Sequence, residues 1–158
     1  MDTPRRSPSP SIIKRRAARL AFVQYIYQQK LEGGPKPIQK YADDIAARVL
    51  EQDSEDPAAE PDFKFLRKLL EGFAPEQAAV QNRLISQMAA GRAFDRVSPM
   101  MQSLLEAAAY ELVYYPEVKQ KILLDEYVSI AAEFFDNPEL GFVNGTMQQL
   151  ADGVASSV

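Results

Sequence analysis

The sequence predicts an all-α fold of about seven helices, and three observations carry that prediction. No segment alternates apolar and polar residues with the period of two that a half-buried strand requires. Glycine is scarce, 7 of 158 residues, too few for the tight turns of a hairpin-rich fold. Apolar residues instead recur at three- and four-residue spacing between short connections, so successive helices should pack as mostly antiparallel neighbours in a bundle.

Residues 1–10, with Pro4, Pro8 and Pro10 among Ser and Arg, offer little to bury and are expected to form a disordered basic tail. Ser11 is the expected cap of a first helix that Gly33-Gly34-Pro35 ends. At 100° per residue Ile13, Ala17, Leu20, Gln24, Tyr27 and Leu31 share one stripe, read as the buried face. Arg15, Arg16 and Arg19 fall roughly opposite, and Phe22 and Ile26 extend that outward side. Pro37 opens a second helix with Ile38, Ala42, Ile45 and Val49 on a narrow stripe. The acidic run from Asp53 to Pro61 is broken by proline and reads as a solvated loop.

Asp62 caps a third helix that turns Phe63, Leu66, Leu69, Leu70 and Phe73 inward. Gly72 and Pro75 interrupt its period, and the helix is expected to continue through a kink, past Leu84 and Met88 to about Ala90. Ser98-Pro99 joins a capping hydroxyl to a first-turn proline and starts a helix burying Met101, Leu104, Leu105, Ala108 and Leu112. The run Ala107-Ala108-Ala109 lets a neighbour approach closely, and Pro116 closes the helix. Ile122, Leu124, Val128, Ala131 and Phe135 mark the next helix. Asn137-Pro138 starts the last, with Val143, Met147, Leu150 and Val154 inward.

Composition narrows the chemistry. At 158 residues the chain makes one domain or two small subdomains sharing a core. It has no Cys and no His, which removes disulfides, thiolate sites, the commonest general base and the commonest metal ligand. No apolar run reaches the ~18 residues of a membrane span and no signal peptide is visible, so a cytoplasmic protein without membrane contact is expected. The formal net charge is −4, yet Arg5, Arg6, Lys14, Arg15, Arg16 and Arg19 stand against Asp2 alone at the start of the chain. A basic end on an acidic body suits a local nucleic-acid contact, and equally a solubilising tail.

Other features read as structure. Asp125, Glu126 and Glu133 have the spacing of paired carboxylates, but without His to complete a di-metal motif they are expected to be a solvated helix face. Tyr114-Tyr115 and Phe134-Phe135 suit core and bundle-end packing. Gly141-Phe142-Val143-Asn144-Gly145 lacks the strand–turn–helix context of a phosphate loop. No catalytic constellation emerges, so the expectation is a non-enzyme with neither metal nor cofactor. The arginines differ, because guanidinium groups bind phosphate bidentately and stack on bases. Three to five phosphate contacts would give single-stranded RNA a log K against log salt slope of about −2 to −3.5.

Arg15 to Gln28, Asp62 to Gly72, Ala109 to Leu112, Leu124 to Val128, Phe134-Phe135 and Gly141 to Gly145, in that order and spacing, resemble the bacterial transcription antitermination factor family NusB, in wording closest to alphaproteobacterial members. Arg15 to Gln28 (RRAARLAFVQYIYQ) is similar to the family's opening arginines followed by A-x-Q-x-L-Y. Asp62 to Gly72 resembles its aromatic-rich third helix, and Ala109-Tyr110-Glu111-Leu112 its A-Y-E-L. Leu124 to Val128, Phe134-Phe135 and Gly141 to Gly145 resemble its I-N-E-x-V…F…F-V-N-G block. The likeness spans about 12 to 154. It implies two three-helix subdomains packed as one bundle, about 11–75 and 76–158.

It also implies an RNA-binding protein that recognises boxA-type single-stranded RNA with NusE, a small-subunit ribosomal protein, within an antitermination complex on RNA polymerase. Matched by position, Arg15, Arg16 and Arg19 fall in the RNA-binding motif, with Lys14, Arg5 and Arg6 beside them, and Phe142 at an aromatic of the RNA surface. Tyr27 falls near the NusE contact, where Phe22, Ile26 and Met101 are further candidates. Outward-facing Phe22 and Ile26 would also permit a homodimer that hides the basic side. Four departures stand out: Glu106 and Met101 where Arg and an acidic residue are usual, and Ala132 and Gly141 where Lys is usual. The alternatives are an RNA-recognition module serving an rRNA methyltransferase in trans, and a helical protein-interaction module that binds no RNA.

Overall fold

Ser9, not Ser11, caps the first helix. In the computed structural model, which describes residues 9–34, 36–51, 60–88 and 92–156, α1 spans Pro10–Glu32. Ser9 Oγ accepts the Ile12 amide at 3.4 Å, and Pro10 occupies the first turn, where a missing N–H leaves no hydrogen bond unmade. Ser9 and Pro10, placed in the basic tail by the sequence, thus belong to the start of this helix; residues 1–8 lie outside the described residues. Gly33 ends α1 in the left-handed region at φ 78°, its N–H returning to the Gln29 carbonyl.

The remaining helices are α2 (Ile38–Glu51), α3 (Phe63–Phe73), α4 (Gln77–Met88), α5 (Pro99–Tyr114), α6 (Gln120–Ala131) and α7 (Asn137–Ser156). No strand occurs among the described residues. Asp62 Oδ1 accepts the Phe65 amide at 3.0 Å, and Ser98 Oγ the Met101 amide at 3.2 Å, so both predicted caps start their helices. Between α3 and α4 a single 3-10 turn, Ala74–Glu76, carries Pro75 at its start. Phe73, Ala74 and Gln77 keep right-handed helical angles, so the chain tightens for one turn at Pro75 without leaving the helical region.

The core is organised on α5. From Met101 to Leu112 every residue except Gln102 is buried, and α1, α4, α6 and α7 all pack against this helix. Ala107, Ala108 and Ala109 are wholly buried, as expected for a run that lets neighbouring helices approach closely. Phe22, Phe73 and Tyr110 meet edge-on with ring centroids 5.2–6.0 Å apart, joining α1, α3 and α5. Gly72 makes room for this cluster, since a Cβ there would strike the Tyr110 hydroxyl.

Several faces differ from the sequence reading. On α1 the buried side is the one centred on Phe22: Ala18, Phe22, Val23 and Ile26 have no exposure, while Gln24 and Leu31 are exposed. The expected stripe is thus the outer one, and Leu20, Ala17 and Tyr27 are only half-buried. Charge predicts arginine on the outer face, but Arg19 sits three residues before Phe22 and seven before Ile26, on their side. A buried carboxylate from another helix makes that placement stable. Burial of Phe22 and Ile26 removes them as partner contacts and removes the homodimer built on them. Met101, 1% exposed, is likewise a core residue and not a partner contact. On α6, Ile122 is 48% exposed, and Leu123, Tyr127 and Ile130 fill the core in its place.

Candidate nucleic-acid interface

The four basic residues at the start of α1 have three different fates. Arg19 is buried and forked onto Glu111 of α5, Nε to Oε1 at 2.8 Å and Nη2 to Oε2 at 3.1 Å. Tyr127 of α6 donates its hydroxyl to the same Glu111 Oε1 at 2.5 Å. Burial pulls the Arg19 guanidinium down, but its hydrogen bonds and attraction to Glu111 outweigh that and hold it above its ordinary value. Burial, then the Glu111 charge, pushes the Tyr127 phenol well up. This triad ties α1, α5 and α6 together and takes up the Nε–Nη2 edge of Arg19, so a buried Arg19 is a structural residue and not an exposed RNA contact.

Arg16 is intermediate. It forks onto Glu126 of α6, Nε to Oε2 at 2.8 Å and Nη2 to Oε1 at 3.0 Å, with 38% of its side chain exposed. The Glu126 hydrogen bonds raise its pKa. Glu126 is 7% exposed, so it is a buried partner and not the solvated residue its spacing suggested. Asp125 and Glu133 are exposed, as expected.

Lys14 and Arg15 make no ion pair among the described residues. Arg15 is exposed and its guanidinium lies 5.5 Å from the Phe65 ring centroid, with Arg19 at 5.1 Å from the same ring. Phe65 of α3 therefore holds the Arg15 side chain in place while its donors face solvent. Lys119 and Lys121, at the start of α6, add exposed cations that are not part of the basic run on α1. Their signal was the short link after α5, which brings the start of α6 beside α1. Arg5 and Arg6 lie outside the described residues.

Phe142 is half-buried on α7, with the Arg92 guanidinium 4.7 Å above its ring. Arg92 also pairs with Glu139 at 3.2 Å. Phe142 and Arg92 border an open groove of about 440 Å³ with Gln87 and Gln149. Tyr27 is half-buried. Glu106 is fully buried, facing Lys30 at 2.5 Å and accepting from Gln81 at 2.9 Å. Its charge is therefore met inside the protein, and position 106 takes no part in the surface charge balance. Ala132 and Gly141 are exposed. Among the described residues no acidic group of three or more could hold a metal ion, and no helix is long and apolar enough to cross a membrane.

A helical bundle whose first helix carries arginines forked onto carboxylates of two later helices is similar to known proteins along most of its length. The NusB family model matches residues 16–152. The transcription antitermination protein NusB of Caulobacter vibrioides is 32% identical over 87% of this chain and 91% of its own. Its namesake from Novosphingobium aromaticivorans is 33% identical over 89% of this chain and 94% of its own. The chain belongs to the NusB family. In fold it is similar to T. maritima NusB, with a TM-score of 0.65 at 22% identity, covering 96% of this chain and 93% of that one. It is also similar to a chain in the crystal structure of a plectonemic RNA supercoil, with a TM-score of 0.71 at 17% identity over 92% of this chain and 99% of that one.

Proposed function

We propose that this chain is a transcription antitermination factor that binds boxA-type single-stranded RNA together with NusE and supports processive rRNA transcription by RNA polymerase in the cytoplasm. The observation that carries the reading is an exposed Arg15 backed by Phe65 and a half-buried Lys14, both without an ion pair among the described residues, beside a half-exposed Arg16. Free guanidinium and ammonium groups on one helix end supply phosphate contacts, and Phe142 with Arg92 supplies a stacking surface on α7. In this reading Arg5 and Arg6 extend the contact, and half-buried Tyr27 faces the protein partner. The role is binding, with no reaction assigned.

The test is direct. Purified protein is mixed with a fluorescent boxA RNA, with and without NusE, at moderate salt. Binding that strengthens with NusE and weakens on Arg15→Ala supports the reading. No association with either partner overturns it.

A further inference from the structure

Between the starts of α1 and α6 lies a groove of about 360 Å³ whose apolar walls are Ile12, Val118 and Ile122. Ile12 is 46% and Ile122 48% exposed, two large aliphatic side chains that nothing among the described residues covers. The groove carries opposite charges: the exposed Arg15 guanidinium with the buried Arg19 beneath it, and the carboxylates of Asp125 and Glu126. Both oxygens of Glu126 are taken by Arg16, at 2.8 and 3.0 Å. The exposed Asp125 carboxylate has no side-chain partner among the described residues, and its backbone carbonyl alone is engaged, by Ser129.

From this arrangement we infer that the groove is a base pocket selecting guanine in single-stranded RNA, with Asp125 as the specificity-determining residue. The inference rests on the RNA-binding reading above. A nucleotide matches the groove in each part: a flat body for the isoleucine walls, a phosphate for Arg15, and an edge for Asp125. A carboxylate offers two acceptors and no donor. Guanine alone presents two adjacent donors, N1–H and the N2 amino group, on its Watson–Crick edge, so it alone satisfies both oxygens at once. Adenine and cytosine each set one donor beside an acceptor, and uracil sets one donor between two acceptors, so each of them leaves a lone pair facing a lone pair. A phosphate placed at Asp125 would meet a like charge, which makes the carboxylate a filter as well as an attractor.

The experiment uses oligouridylates carrying a single guanine, adenine or cytosine, competed against unsubstituted oligouridylate on the full chain. The guanine RNA should bind best, by about tenfold, the discrimination one bidentate carboxylate–base contact supplies. Asp125→Asn, which replaces one acceptor by a donor, should abolish that preference. Asp125→Ala should abolish it too while leaving oligouridylate binding equal or tighter, because a negative charge has gone. Asp125 is exposed, so unchanged thermal melting should accompany both variants. Equal binding of all the RNAs, or a guanine preference that survives Asp125→Asn, overturns the inference and leaves the RNA-binding reading standing. A groove built for a protein side chain would give that result. Failure of every RNA to bind, with NusE present, overturns both.

Discussion

Arg19 and Arg15 are the same residue type, four positions apart on one helix, and they do opposite things. Arg19 is sealed between α5 and α6 with its fork filled by Glu111. Arg15 rests on Phe65 with its donors in solvent. The difference is made entirely by partners distant in sequence: Glu111 and Tyr127 for one, an aromatic ring for the other. A basic run on an amphipathic helix is therefore not one surface. Its inner members hold the bundle together, and only its outer members are available to a ligand.

Removing the acid from the inner pair should have the largest effect. Glu111→Ala leaves a buried guanidinium without its carboxylate, and urea denaturation should show a loss of roughly 3–5 kcal/mol. Tyr127→Phe keeps the Arg19–Glu111 fork and removes one buried hydrogen bond, so the same measurement should show about 1–2 kcal/mol. Glu126→Gln should cost at most about 1 kcal/mol, because Arg16 is more than a third exposed and water screens its pair. The same variant should bind RNA more tightly than the wild type. Arg15→Ala should leave stability within about 0.5 kcal/mol while flattening the salt dependence of RNA binding by about 0.7 in slope. A variant at Arg15 that unfolded the protein, or one at Glu111 that impaired only RNA binding, would erase the distinction between inner and outer arginines.

The inner region also has a pH signature. Burial raises the phenols of Tyr41, Tyr110 and Tyr127, so these groups bind protons more tightly folded than unfolded. Their contribution to stability is fully present below the ordinary tyrosine value of about 10 and is lost as pH rises above it. Melting temperature should therefore stay level with respect to these groups up to about pH 9 and fall in more alkaline buffer, less so in Tyr127→Phe.

Helix positions and ends were largely legible in the sequence because their causes are local. Asp62 and Ser98 cap the helices they precede, and Val143, Met147 and Leu150 repeat at the spacing that buries them. The face of α1 was not legible, since charge outweighed the aromatic residues in deciding which side is out. Only the fold brings Glu111, 92 residues away, against Arg19. Ile122 failed for a similar reason: the stripe through Leu123, Tyr127 and Ile130 competes with it, and burial decides between them. Of the candidate site, Lys14 and Arg15 were readable as cations. Asp125 was readable as exposed acid, but the groove that gives it a use forms from two helices more than a hundred residues apart.

The Arg16–Glu126 pair has one more consequence. A cation on a protein surface ordinarily holds a loose atmosphere of small anions, and RNA gains affinity by releasing ions to solution. Arg16 carries its anion on the polypeptide instead. If an RNA phosphate took the place of Glu126, no small anion would leave Arg16, and the exchanged carboxylate would stay tethered and ready to return. Such a contact would add less to the salt slope than one made by an arginine without a fixed partner. A fixed counterion of this kind keeps the arginine soluble and oriented while it waits, and it favours ligands that can hold the guanidinium in a fork, as Glu126 does.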